Sequence, residues 1–168
     1  DRFLYGNDDM FPLSTLSESD FFEGNTPCLH HEEKLFPEHL NIFHLASRNG
    51  LNFVASEFGR IYIGTWLKGG HSITPMLKST WEYLWKRGSE IEDSISAFRE
   101  SRNFYQWICP WWHHFSGNYV DKVPKRVYVS TRNSVDDVVK AISADNAGIV
   151  CINDNECVED YMEYGNAV

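Results

Sequence analysis

Residues 126–155 read RVYVSTRNSVDDVVKAISADNAGIVCINDN. Arg126 to Ser130 alternates in the period-two manner of a half-buried strand. Ser134 then precedes Val135-Asp136-Asp137, a capping hydroxyl followed by an acidic first turn, which predicts a helix. Gly148 to Ile152 is a short run rich in β-branched residues and reads as a second strand. Strand, helix and strand in succession predict a crossover unit with the two strands parallel. The second strand ends in a polar tip, Asn153-Asp154-Asn155, and open α/β sheets bind their ligands just beyond the carboxyl ends of strands.

The same form recurs at the start of the chain. Phe3 to Tyr5 is a β-like run that ends in Gly6-Asn7-Asp8-Asp9. Two Asn-Asp tips side by side at one sheet edge would supply hard oxygen ligands for a divalent cation, with positions left open for phosphate. Asn-Asp pairs are also ordinary turn formers, the commoner use of either pair alone. Between the two tips, apolar residues at helical spacing predict a helix from Pro37 to Val54, and Ile61 to Leu67 reads as an extended run closed by Gly69-Gly70. Pro75, at a position suited to the first turn, predicts a helix through Lys86. A further helix is expected from about Glu90, and another from Asn103 that kinks near Pro110.

Composition narrows the function classes. With 168 residues the chain is long enough for one self-sufficient core. Its 15 Lys and Arg against 24 Asp and Glu give a formal charge of -9, which disfavours a general binder of polyphosphate backbones, so no nucleic-acid partner is expected. No apolar run approaches the roughly 20 residues that span a bilayer, so no transmembrane segment is expected in this chain. Cys28, Cys109, Cys151 and Cys157 show no zinc-ligand spacing and read as reduced thiols. The aromatic run Trp107 to Phe115 suits a flat-sided small-ligand pocket, although a buried core is the commoner use, and it is the one support for a noncatalytic carbohydrate-binding module.

Three further residues are candidates for chemistry. His71 follows Gly69-Gly70, where the backbone can approach a ligand closely, and precedes the predicted helix start at Pro75, whose free N–H groups would favour an anion. It is placed to act as a base or as a cationic clamp; a lone loop histidine is more often simply exposed. Arg99 and Arg102 flank a helix boundary, where a guanidinium fork suits phosphate, although surface pairing with Glu92, Asp93 or Glu100 is the commoner outcome.

In combination and in order, FLYGNDDMFPLSTLSESDFF, GGHSITPMLKSTWEYLWKR, SAFRESRNFYQW with its aromatic continuation to SGNY, and IVCINDN resemble the successive conserved blocks of the Stealth family. These are bacterial capsular and exopolysaccharide sugar-phosphate transferases and the catalytic subunit of animal N-acetylglucosamine-1-phosphotransferase. The resemblance spans nearly the whole chain. It implies transfer of a sugar-1-phosphate from a nucleotide-sugar donor to a hydroxyl of a saccharide acceptor, with Mg2+ or Mn2+ as cofactor, on an α/β fold with a Rossmann-like or glycosyltransferase-like parallel sheet flanked by helices. By position it makes Asp8, Asp9, His71 and Arg99 catalytic, Asn7, Arg102 and Asn153 substrate-binding, and Asp8, Asp9 and Asp154 metal ligands. Arg102-Asn103 stand where the family carries an acidic pair, which favours Arg99 over Arg102. The family's first block does not occur, so residues 1–168 are expected to be the catalytic half of such a domain. The competing enzymatic reading is a metal-dependent nucleotide-sugar glycosyltransferase, which moves the sugar without its phosphate. No Asn-x-Ser/Thr acceptor occurs in the chain, which favours a bacterial cytoplasmic enzyme, in solution or at the membrane, over a glycosylated one of the Golgi lumen.

Overall fold

A computed structural model describes residues 1–87, 89–98, 100–130, 133–143 and 148–153. In chain order they form β1 (Arg2–Tyr5), β2 (Met10–Pro12), a 3-10 turn (Glu18–Asp20), β3 (Phe22–Glu23), β4 (Thr26–Leu29), β5 (His31–Leu35), α1 (Ile42–Ser56), β6 (Thr65–Gly69), β7 (Thr74–Leu77), α2 (Lys78–Lys86), α3 (Ser89–Ser94), α4 (Ile108–Ser116), β8 (Val120–Asp121), β9 (Arg126–Ser130), α5 (Val135–Ile142) and β10 (Ile149–Asn153).

The crossover unit read from the sequence is present. β9 and β10 pair in parallel, from Arg126 opposite Ile149 to Ser130 opposite Asn153. Ser134 caps α5 by accepting the Asp137 N–H at 3.2 Å, with Asp136 and Asp137 favourably placed against the positive end of the helix. β2 closes the other edge of β10 in antiparallel register, Met10 opposite Cys151. Alternation then gives this three-stranded sheet two unlike faces. On one, Val129 and Val150 are buried with Val138 of α5, and Val127, Ile152, Ala141 and Ile142 pack around them. Each such aliphatic burial contributes about 1.5–3 kcal/mol. Arg126, Tyr128, Cys151 and Asn153 alternate with these residues and so belong to the opposite face.

A single parallel sheet of the Rossmann or glycosyltransferase type is absent among the described residues. The strands form four small sheets, ordered β1-β7, β2-β10-β9, β3-β4-β8 and β5-β6, and parallel pairing is confined to β9–β10 and β4–β8. The reason shows at α1, which lies between two strands yet does not make them parallel. The Phe36 N–H donates to the Gly64 carbonyl at 2.8 Å, so the chain leaves β5 and re-enters β6 at one end. The helix is an excursion out and back, and the pair is antiparallel.

Two proline readings also change. Pro75 lies in β7 opposite Leu4 of β1 rather than in a helix, and α2 starts only at Lys78. Among the described residues β7 pairs with β1 alone, and an edge strand accommodates the missing N–H that a central strand would not. Pro110 is the third residue of α4, which runs from Ile108 instead of Asn103; no intrahelical partner is required of an N–H in the first turn, so no kink follows.

The main core joins α1, α2, α4, β6 and β7 through Leu51, Val54, Trp66, Met76, Leu84, Trp107 and Trp111, all at 5% exposure or less. Trp111 is fully buried and donates its indole N–H to the Leu67 carbonyl at 2.9 Å. α1 begins at Ile42 because Asn41 caps it, accepting the His44 N–H at 2.9 Å.

Candidate active site

The polar face of the β2–β10–β9 sheet carries the candidate site. Asp9 is delivered to it by the turn that follows β1. Its carbonyl accepts the Ile152 N–H at 2.9 Å, and its carboxylate Oδ2 accepts a bond from the Cys151 thiol at 3.3 Å. The other oxygen, Oδ1, is buried with no partner among the described residues. Burial, reinforced by the Asp9 carboxylate, pushes the Cys151 thiol up to about 12, so it stays protonated and donates. Asp8 is exposed on the same turn, and Asn7 lies one residue further back, in a small cleft shared with His71, Tyr5 and Tyr105. Asn153 ends β10 and hydrogen-bonds the Tyr128 side chain. Asp154 and Arg99 lie outside the described residues.

His71 sits between β6 and β7 and lays its ring against Tyr128, with centroids 4.9 Å apart and planes at 44°. Burial holds the imidazole below its usual value, Lys68 and Arg126 lower it further, and Asp9 opposes them. The ring is therefore neutral at pH 7, the form a base requires. The helix N-terminus expected beside it is not there, since β7 intervenes before α2. Its protonation is set by burial and by neighbouring side chains.

Arg126 was not read from the sequence as a site residue. Its guanidinium is laid against the backbone of Gly70, where a Cβ would stand only 2.5 Å from Nε and 2.6 Å from Cζ. The Nε is buried and without a partner among the described residues. The sequence clue was the alternation in β9, which puts Arg126 and Tyr128 on one face, but nothing local reveals what covers that face. Arg102, by contrast, is exposed and turned to Glu100, with Nε to Oε2 at 2.8 Å.

Beside Gly70 and Ser72 opens a cavity of about 150 Å³ that also reaches Trp107, His31 and Lys122. Two buried polar atoms near it, Ser72 Oγ and His31 Nδ1, lack partners among the described residues. The aromatic run itself is mostly core, with Trp107 and Trp111 buried, so it offers no exposed ring platform of the kind a carbohydrate-binding module needs. Among the described residues no three His, Cys, Asp or Glu side chains cluster as a metal site. The orphaned Asp9 Oδ1 nevertheless fits a hard cation as one ligand, because a buried carboxylate oxygen demands a positive or donating partner.

No family model matches the chain. It is 22% identical, over 196 aligned positions, to the capsular polysaccharide phosphotransferase WcwK of Streptococcus pneumoniae, covering 97% of this chain and 58% of that protein. To the receptor polysaccharide phosphotransferase WefC of Streptococcus gordonii it is 24% identical, covering 95% and 57%. To a capsular polysaccharide phosphotransferase of Actinobacillus suis it is 23% identical, covering 99% and 48%. The chain is thus a distant homologue of bacterial polysaccharide phosphotransferases along nearly its whole length, and it spans about half the length of these curated relatives. Among the described residues no helix is long and apolar enough to cross a membrane.

Proposed function

We propose that this chain is part of a Stealth-type sugar-1-phosphate transferase that joins a nucleotide-sugar donor to a saccharide acceptor in bacterial capsule or exopolysaccharide synthesis, on the cytoplasmic side. The observation that carries the reading is that Asp9 and a neutral His71 lie on one face of the β9–β10 crossover unit, near enough for the carboxylate to act on the imidazole electrostatically, with Asp9 held to Cys151 and Ile152 and His71 held on Tyr128. The relatives named as polysaccharide phosphotransferases support the same chemistry.

In this reading the acceptor hydroxyl lies in the small cleft lined by Asn7, His71 and Ser72 and gives its proton to neutral His71 as its oxygen attacks the phosphorus attached to the sugar. The new O–P bond forms as the bond to the nucleoside phosphate breaks, and His71 passes the proton to solvent. Tyr128 orients the imidazole. Asp9, with Asp8 and Asp154, would hold Mg2+ or Mn2+, which supplies neutralisation of the phosphate charge when bound. Asn7 and Asn153 line the approach, and Arg99 and Arg102 are the further phosphate-binding candidates.

The released nucleotide tests this. With a full-length protein, donor and acceptor, the reading requires nucleoside monophosphate in step with acceptor consumption. Nucleoside diphosphate would assign a glycosyltransferase instead, and no nucleotide release would remove the enzymatic reading.

A further inference from the structure

We infer that Arg126, laid over Gly70 beside His71, anchors an anionic phosphate oxygen of the substrate. The identity of that anion rests on the proposed function; the existence of an anion site rests on geometry alone.

A partly buried guanidinium costs free energy unless something negative or hydrogen-bond-accepting meets it. Arg126 is partly buried, its Nε is sealed from water without a partner, and among the described residues no carboxylate stands within ion-pair distance of it. Asp9, the acidic group on the same face, gives Oδ2 to Cys151, and its other oxygen makes no contact with the guanidinium. The close seat is permitted by one residue: any side chain at position 70 would overlap Nε, Cζ and Nη2, at 2.5 to 2.7 Å. A planar fork of five N–H donors held this way is prepared for an oxyanion, which accepts from two donors at once.

The placement also sets the anion beside the proposed base. Gly70 covers Arg126 and His71 covers Tyr128, so the 70–71 turn follows two residues of β9 that point the same way. An anion held by Arg126 therefore lies on the same face as the His71 ring, one strand repeat away.

Inorganic pyrophosphate is the probe, titrated calorimetrically into the full chain with Mg2+ present. Arg126→Gln should weaken binding about tenfold or more, as expected on losing a charge-assisted pair of hydrogen bonds. Gly70→Ala keeps every charge and displaces the guanidinium, and it should weaken binding comparably. Arg126→Lys should recover part of the loss, since a point charge replaces a fork. Circular dichroism and melting of each variant show whether it has folded, and either substitution alone is sufficient if the other fails to fold. Wild-type affinity retained in the folded variants, or no pyrophosphate binding by the wild type, overturns the inference. Nucleoside diphosphate as the reaction product would overturn the proposed function and leave the pyrophosphate result standing.

Discussion

The thiol of Cys151 donates to the carboxylate of Asp9 at 3.3 Å, joining the Asn7-Asp8-Asp9 turn to strand β10 across 142 residues of sequence. The contact fixes one Asp9 oxygen and leaves the other buried and unpartnered. Asp9→Asn removes the charge at similar shape and is expected to lower turnover at least a hundredfold, with no rescue by raised Mg2+ or Mn2+. Cys151→Val keeps the volume and deletes the donor, so it should weaken metal activation while leaving residual activity. Steady-state rates across a metal titration separate the two.

The cysteines should be chemically quiet. Burial pushes Cys109 and Cys151 up to about 12 and raises Cys28 as well, and only a thiolate is an efficient nucleophile. Under native conditions at pH 7.5 (about one unit below an ordinary thiol), iodoacetamide followed by peptide mass spectrometry should label none of these three appreciably within an hour. Labelling in denaturant should be complete. Fast native labelling of Cys151 would contradict its contact with Asp9.

His71 sets the pH dependence of turnover. Its folded value lies below the ordinary 6.5, so the neutral base persists on acidification and activity declines only as pH falls through that lowered value. His71→Gln should lose most activity and, in what remains, this acidic limb. Loss of the alkaline limb instead would make His71 a cationic clamp.

How much of this was readable follows the range of the interactions. The β9–α5–β10 unit was legible because its determinants are local: alternation from Arg126 to Ser130, the Ser134 cap, and the β-branched run at Ile149 and Val150. Pro75 was not, because its ring is compatible with a helix's first turn and with an edge strand, and pairing with Leu4 of β1 decides between them. The single parallel sheet failed for a similar reason, since the return of α1 to the end of β5 that it left is a tertiary fact. Asp9 and His71 stood out as polar residues after strands and glycines. Arg126 did not, because its meaning comes from Gly70, which approaches it from another part of the chain.

His31 governs acid stability. Its imidazole packs edge-on to His114 at 5.2 Å, and burial with that neighbour takes it down to about 3. An unfolded chain protonates this residue near 6.5, so between those values the unfolded state binds a proton that the folded state refuses. Stability is full above 6.5 and falls by up to about 1.4 kcal/mol per pH unit as pH drops through the window. The slope is an upper value because His31 keeps an accessible edge. In urea denaturation from pH 7 to pH 4.5 (a span inside which ordinary carboxylates remain mostly ionised), His31→Gln should lose stability less steeply than the wild type; parallel slopes would refute the assignment.

The α1–α4 contact allows a packing test. A Cβ on Gly50 would stand 3.1 Å from Ile108 Cγ2 and 3.2 Å from Trp111 Cζ3. Gly50→Ala therefore sets a helix-propensity gain of about 1 kcal/mol against overpacking of about 1–3 kcal/mol, and net destabilisation is expected. Trp111→Ala should cost about 3–5 kcal/mol through its cavity, with the Leu67 carbonyl left unpaired in addition. Thermal melts of both variants check the order.

The fate of the phosphate attached to the donor sugar tests the central claim most directly. A nucleotide-sugar carrying radiophosphorus only at that position, given to the full-length protein with acceptor and Mg2+, should deliver the label to the saccharide product as a phosphodiester, with unlabelled nucleoside monophosphate released. Label recovered wholly in nucleoside diphosphate, with the sugar transferred bare, would contradict it.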